Sequence, residues 1–188
     1  MSTEELGRAV VPVPKGVTFE VKGGRLSARG PLGRIERPFP AEVLRLTPGD
    51  GTVTLELQLP PERRRSRALL GTWVAHVKNI AGGLTVGVEA RMKVVAAHFP
   101  MKVQVRGEEL VIENFLGEKH PRSTRLVAGT RAQVEGDIVT LSGHDLEQVG
   151  QSAANVERAT RIRDYDPRVF QDGIYLIERA HLKEVTAS

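Results

Sequence analysis

One phrase occurs twice in this chain. Residues 17–33 read VTFEVKGGRLSARGPLG, and residues 101–117 read MKVQVRGEELVIENFLG, 84 positions later. Five of the seventeen aligned positions are identical: Val21/Val105, Gly23/Gly107, Leu26/Leu110, Leu32/Leu116 and Gly33/Gly117. Downstream the offset drifts only to 86. There Val53-Thr54-Leu55 faces Val139-Thr140-Leu141, and Ser66-x-Ala68 faces Ser152-x-Ala154. Two copies of one unit imply a duplicated architecture, and departures between them mark where function was added. A chain of 188 residues has room for one ordinary domain or two of roughly 85–95 residues. The repeat selects two, divided as residues 1–84 and 85–188.

Each copy predicts the same elements. Val17, Phe19 and Val21 alternate with Thr18, Glu20 and Lys22, so one strand face is apolar and the other wet. Gly23-Gly24 then reads as a hairpin turn into a second strand through Leu26 and Ala28. The matching piece runs Val103, Val105, Gly107-Glu108, Leu110, Ile112 and Phe115-Leu116. A further hairpin follows in each copy, over 43–59 and 131–141. A helix closes each one. The first is announced by Pro60-Pro61, carries Leu69, Trp73, His76, Val77 and Ile80 on one face, and is expected to end at Gly82-Gly83. The second starts at Asp145 as N-cap, with Gln148 three residues on, and its inner stripe is Leu146, Val149, Ala153, Val156 and Thr160. Residues 84–97 lead into the first strand of the second domain. The fold class is therefore α+β: two tandem duplicated domains, each a small antiparallel β-sheet packed against one α-helix.

Composition excludes several functions. There is no cysteine, which removes disulfides, thiolate nucleophiles and thiolate zinc sites. No apolar run approaches the roughly 18 residues that span a bilayer, and the N-terminal MSTEELGRAVVPVP carries acids where a secretory signal would be basic. A soluble cytoplasmic protein without a membrane partner is the expectation. The five histidines (His76, His98, His120, His144, His181) show no metal-binding spacing. Gly30-Pro31-Leu32-Gly33 is a turn, since it lacks the Gly-Lys-Ser/Thr ending of a phosphate loop. No serine sits in a nucleophile elbow and no carboxylate pair stands out for acid–base work. Neither catalysis nor a cofactor or metal is expected.

Charge points elsewhere. The chain carries +4 net, with 20 Arg against 7 Lys, and the planar guanidinium fork suits phosphate. Residues 1–84 hold 13 basic and 8 acidic side chains, net +5. Residues 85–188 hold 14 and 15, net −1, so a polyanion contact there needs local clusters. Three clusters stand out. From Lys119 to Arg131 the segment after FLGE holds Lys119, Arg122, Arg125 and Arg131 with no acid, broken by Pro121 and Gly129 and supplied with Ser123 and Thr124 hydroxyls. It is either a phosphate-binding loop or a strand edge guarded by charge. The second cluster is Arg158, Arg161, Arg163, Tyr165, Arg168 and Phe170, leaving the second helix. Arginines among aromatics grip phosphates and stack on bases, but last-turn cations also complement the helix dipole and the aromatics can simply pack. The third is Arg63-Arg64-Arg65-x-Arg67 at the start of the first helix, where cations oppose the dipole; a solvated charge run is the commoner explanation.

The motifs GTWVAHVKNIAGGLTVG (71–87), HFPMKV (98–103), VIENFLGEKHPR (111–122), VGQSAANVE (149–157) and DPRVFQDGIYL (166–176) span most of the chain, and VPVPKGV opens it. In combination they resemble the sixth large-subunit ribosomal protein family, of the archaeal and eukaryotic type. The resemblance implies two tandem α+β domains. It implies a structural role binding large-subunit rRNA at the base of the factor-binding stalk, near the sarcin–ricin loop, where translational GTPases approach. Neighbouring ribosomal proteins are implied partners. The second domain is then expected to make much of the rRNA contact, through a loop and a tail. Gly117, Lys119, Pro121, Arg122, Gln151, Arg161, Arg163, Arg168 and Phe170 carry over as contact residues, joined by Ser123, Arg125, Arg131 and Arg158 from the clusters. Arg63, Arg64, Arg65 and Arg67 are weaker candidates. The rival expectation is a free RNA-binding or interaction module outside the ribosome.

Overall fold

Alternation and turn chemistry build the first strands as expected. In β2 (Thr18–Lys22) Phe19 is buried and Val21 half-buried, while Thr18, Glu20 and Lys22 are exposed. Gly23 and Gly24 both adopt left-handed backbone (φ +56° and +71°), which a two-residue hairpin favours, and deliver the chain to β3 (Arg25–Gly30). The computed structural model describes residues 7–60, 63–166 and 168–183. Pro61, half of the expected helix-start signal, lies outside them. The chain divides into two compact units, Met1–Val86 and Gly87–Ser188.

The first unit continues with β4 (Gly33–Pro38), β5 (Leu44–Pro48), β6 (Thr52–Leu57) and α1 (Arg64–Val86), and begins with β1 (Arg8–Pro12). The second runs β7 (Val88–Val95), β8 (Lys102–Arg106), β9 (Glu109–Glu113), β10 (Arg122–Arg125), β11 (Arg131–Glu135), β12 (Ile138–Gly143), α2 (Leu146–Ala159) and β13 (Gly173–Leu182). Strand pairing divides each unit's strands between two antiparallel sheets. In the first unit the orders are β1-β6-β5 and β2-β3-β4; in the second they are β11-β12-β7-β13 and β10-β9-β8. Matching β7 to β1 and continuing in sequence, the two topologies coincide, with β13 added beyond β7. The duplication therefore begins upstream of the repeated phrase, at β1. That strand escapes the sequence pattern because it is short and ends at Pro12, with Pro14 just beyond.

Repeated positions are core positions. Leu26 and Leu110, Val53 and Val139, and Leu55 and Leu141 are all at most 2% exposed. Val53 pairs with Val11 and Leu55 with Ala9; in the second unit Val139 pairs with Met92 and Leu141 with Ala90. Ser152, its repeat partner Ser66 likewise buried, accepts a hydrogen bond from the Val127 N–H (2.9 Å), so the copied hydroxyl is satisfied inside. Leu32 and Leu116 break the symmetry: Leu32 is 49% exposed and Leu116 is 7%.

Helix α1 buries Leu70, Trp73, Val77, Ile80, Ala81 and Leu84, with Leu69 and His76 half-buried at the margin. The Trp73 and Phe39 rings meet edge to face, their centres 4.8 Å apart. The helix does not stop at Gly82-Gly83. It runs on to Val86 and breaks at Gly87 (φ +82°). Two helical glycines cost about 2 kcal/mol relative to alanine, which full burial of Leu84 offsets by a similar amount. The Leu84 carbonyl also accepts the Leu32 N–H (3.1 Å), tying the β3–β4 turn to the helix end. Helix α2 is capped as expected: the Asp145 carboxylate accepts the Glu147 N–H at 2.9 Å. No helix among the described residues is long and apolar enough to cross a membrane.

A Cβ at Gly30 would lie 2.8 Å from Leu84 Cβ and 3.2 Å from the Leu84 carbonyl oxygen, neither of which is a flexible tip. Gly30→Ala is expected to destabilise the first unit by about 1–3 kcal/mol. The sole tryptophan, Trp73, lies in that unit's core, so denaturant unfolding followed by its fluorescence reads this change. An unshifted midpoint would mean the turn does not pack this tightly on the helix.

Candidate nucleic-acid interface

The two copies separate at one connection. In the first unit Pro31 and Leu32 alone link β3 to β4, with Gly30 opposite Gly33. In the second, eight residues (114–121) link β9 to β10. They open on a tight turn, Phe115–Gly117, in which Asn114 (φ +60°), Leu116 (φ +50°) and Gly117 (φ +77°) all adopt left-handed backbone. Two non-glycine residues in that region cost of order 1 kcal/mol or more each, and the strain persists only because the surroundings hold it. The Asn114 amide donates to the Pro100 carbonyl (2.9 Å), and Phe115 and Leu116 are buried. A Cβ at Gly117 would come within 3.2 Å of the Phe99 ring, so Gly117 serves the turn. Beyond it Lys119 and Pro121 are exposed.

Arg122, the first residue of β10, points inward. Its guanidinium takes the Glu118 carboxylate in a two-pronged grip (Nε at 2.8 Å, Nη2 at 2.6 Å). Nη1 donates to the Ala159 and Arg161 carbonyls (2.9 and 3.1 Å), oxygens that the end of α2 leaves without helical partners. The cation also lies 4.2 Å from the centre of the Phe115 ring. One side chain thus joins the strained turn, the inserted loop and the C-terminus of α2, where the dipole favours positive charge. Glu118 feels it. Its carboxyl is held below the usual value first by the hydrogen bond from Arg122, partly offset by burial, and then by the charge of the same guanidinium.

The segment from Thr160 to Asp172 is held at both ends. At its start the buried Thr160 hydroxyl accepts the Ile174 N–H (3.0 Å), and Arg122 holds the Arg161 carbonyl. At its far end the Asp172 carboxylate, 3% exposed as a residue, accepts the N–H groups of Ala97 and His98 (both 3.1 Å) and sits 3.1 Å from His98 Nδ1. Phe170 packs between His98 and Tyr165, with ring centres 4.7 and 4.9 Å away. Phe170 is thus a packing residue here, and the half-exposed Tyr165 presents the free ring. Between the anchors, Arg161 and Arg163 are exposed.

This arrangement unites the two clusters singled out in the second domain. Arg122, Ser123, Arg158, Ala159, Arg161 and Arg163 line one shallow pocket of about 440 Å³. Among the described residues, no ion pair or side-chain hydrogen bond reaches Lys119, Arg158, Arg161 or Arg163 through its charged group. Exposed guanidiniums crowded together without acids form a surface suited to a polyanion. Other predicted residues fall elsewhere. Arg125 stands 3.9 Å from Glu108 and Arg168 pairs with Asp166 (2.9 Å), whose carboxyl Arg168 lowers by hydrogen bonding. Gln151 is exposed on α2 and donates to Asn155 (2.9 Å). Arg131, exposed at the start of β11, does not line the pocket. Arg63, Arg64, Arg65 and Arg67 belong to the other unit and are exposed there. Sequence reasoning missed Glu118 and Asp172, whose partners lie 4 and about 74 residues away. The Glu118–Arg122 spacing of four was the only available signal. Among the described residues no group of three or more His, Asp or Glu could hold a metal ion.

Comparison with known proteins is decisive about kinship. The family model for ribosomal protein L6 matches residues 99–173. The chain is similar to large ribosomal subunit protein uL6 of Methanobrevibacter smithii, 43% identical across 92% of this chain and 96% of that protein. It is similar to the protein of that name from Methanospirillum hungatei (44%, covering 91% and 96%) and from Archaeoglobus fulgidus (40%, covering 95% and 92%).

Replacing Arg122 should unseat the loop and the helix end together. Arg122→Ala is expected to cost about 2 kcal/mol, through two orphaned carbonyls and a lost charge-assisted pair that solvent partly screens. Arg122→Lys should recover little, because a point charge cannot reproduce the fork. Hydrogen exchange of amides 156–163 would accelerate in both variants. A carboxyl lowered by folding contributes stability that is full above its unfolded value and lost as pH falls through the folded one. The stability gap between wild type and Arg122→Ala should therefore narrow on acidification below about pH 4. A gap independent of pH would remove Glu118 from the account.

Proposed function

The chain belongs to the ribosomal protein L6 family, and on that premise we propose that it is a structural component of the large ribosomal subunit that binds rRNA through the Arg158–Arg163 face of its C-terminal unit. Its relatives bear the name of a ribosomal protein, not of an enzyme. Its place is then the ribosome, in the cytoplasm. The single observation that carries the binding face is convergence: segments about 35 residues apart in sequence put Ser123, Arg158, Arg161 and Arg163 on one acid-free pocket.

In this reading the residues divide by task. Arg158, Arg161, Arg163 and Lys119 meet phosphates, because among the described residues their charges have no partner. Ser123 adds a hydroxyl donor, and Tyr165 offers a ring face to an unstacked base. Arg122, Gly117 and Phe170 position these groups. Arg125, Arg131, Gln151 and Arg168 lie outside the pocket and have weaker claims, two of them engaged with nearby acids. The C-terminal unit, Gly87–Ser188 with loop and tail, is thus the principal rRNA-binding domain. Recognition by phosphates and shape needs no base code, which suits a protein that fixes a folded RNA in place.

The location within the subunit is part of the same proposal. The family resemblance supports a seat at the base of the factor-binding stalk beside the sarcin–ricin loop. There the protein would meet neighbouring ribosomal proteins and shape the surface that translational GTPases approach.

Binding to a large-subunit rRNA fragment should weaken steeply with salt. Replacing Lys119, Arg161 and Arg163 by Ala should lower the slope of log K against log salt by about 2 units, at roughly 0.7–0.9 per lost phosphate contact. The protein should also co-sediment with large subunits at high salt. Binding insensitive to salt, or a protein found wholly off the ribosome, would refute the reading.

A further inference from the structure

The solvent face of α1 carries chemistry that its own unit does not use. Arg63, Arg64, Arg65 and Arg67 are all exposed, and among the described residues none of their guanidiniums is in an ion pair or hydrogen bond. They crowd the end of the helix where the dipole is positive, so they repel it and one another. Within the helix nothing offsets them: the 23 residues of α1 contain neither Asp nor Glu. A helix face kept merely for solubility mixes both signs, as i,i+4 pairing rewards. This one holds a single sign.

The same face is unusually flat. Arg64, Ala68, Gly71, Ala75 and Lys78 follow one another at spacings of four and three, so they share one exposed stripe, and Thr72 lies beside it. The Thr72 hydroxyl is turned back to the Ala68 carbonyl (2.9 Å). Gly71 has no internal reason to be glycine. It sits in the middle of a helix, where glycine is a poor helix former, and a Cβ there would meet nothing within 4 Å. The fold would gain from alanine at this position. A surface from outside the unit that comes close to the helix backbone would not.

Resting on the ribosomal reading above, we propose that this face of α1 is a second RNA-docking surface, formed by the N-terminal unit independently of the Arg158–Arg163 face. Charge complementarity selects the occupant. Four arginines without a partner among the described residues call for a polyanion, and the small stripe of Ala68, Gly71 and Ala75 lets a sugar–phosphate backbone lie against the helix, with Lys78 gripping its far end. A protein partner with ordinary mixed charge would leave the arginines unmatched. The chain would then hold rRNA at two places, one in each copy of the duplicated unit but on different elements.

The test uses the full-length chain and deproteinised large-subunit rRNA, with affinity measured across a salt series. One variant replaces Arg63, Arg64, Arg65 and Arg67 by Ala; a second is Gly71→Gln; a third replaces Arg158, Arg161 and Arg163 by Ala. The four-alanine variant should bind about tenfold more weakly, with a slope lower by about 3 units. Its Trp73-reported unfolding midpoint should be unchanged or higher, since the dipole is relieved. Gly71→Gln should weaken binding several-fold at unchanged slope, a steric effect with no charge removed. Should the four-alanine variant fail to fold, Gly71→Gln decides alone. If both α1 variants bind like wild type while the third loses affinity, this proposal falls and the ribosomal reading stands. If they bind rRNA normally but are lost from large subunits, the face docks on a protein and the proposal falls. Wild-type protein with no affinity for rRNA would overturn both.

Discussion

The C-terminal unit is organised around a single guanidinium. Arg122 reaches from the first residue of β10 to a carboxylate four residues back, to a ring in the strained turn, and to two carbonyls at the end of α2. These belong to pieces of chain that local forces alone would leave unconnected. The turn is strained, the inserted loop has few apolar residues, and the helix terminus exposes carbonyls that need donors. A fork with several donors in one plane satisfies all of them, where an ammonium would meet one at a time. Because Arg122 is engaged with Glu118, it contributes little free charge to the surface. Its effect is to fix where Arg158, Arg161 and Arg163 stand.

Duplication explains the scaffold and divergence explains the site. The two units share strand order, sheet pairing and a covering helix, and the copied apolar positions fill equivalent places in two cores. The connection after the third strand is different. In one unit it is a two-residue turn whose leucine is exposed and whose backbone N–H bonds the helix end. In the other the matching leucine is buried, the backbone is forced left-handed, and four residues follow before the next strand. Burying Leu116 and Phe115 is what holds the loop's root, so the same identity in the repeat does different work in each copy. The added β13 closes the second unit's sheet beside β7 and returns the chain from the arginine-bearing segment.

Much of the fold was legible because strands and helices announce themselves locally. Alternation at Val17 to Lys22, paired glycines at 23 and 24, and the Asp145 cap are short-range signals, and each appears where expected. Gly82-Gly83 misled because propensity is weak beside burial: Leu84 lies just past them and takes the helix with it. The negative balance of the C-terminal half misled in another way. Counted as a total it argues against RNA, yet charge acts by position: several acids are placed against particular groups, and none lines the Arg158–Arg163 pocket. Glu118 holds Arg122, Asp166 holds Arg168, and Asp172 is buried beneath backbone donors and His98. That one pocket is cationic although the sum is not.

From the residues alone one could know that the unit is doubled, that each copy alternates strands before a helix, and that two basic segments follow the point where the copies part. Periodicity and turn chemistry act over a few residues, so the linear order carries them. What it could not carry is which way β10 faces. The run Arg122-Ser123-Thr124-Arg125 has no apolar member to choose an inner side, and a strand presents successive residues to opposite faces. Pairing with β9, Arg122 opposite Ile112, turns Arg122 and Thr124 toward the unit and leaves Ser123 and Arg125 outside. What the inward-facing Arg122 then meets lies 37 and 39 residues on, at the Ala159 and Arg161 carbonyls. Only the tertiary structure could separate the arginine that builds the surface from the arginines left free upon it.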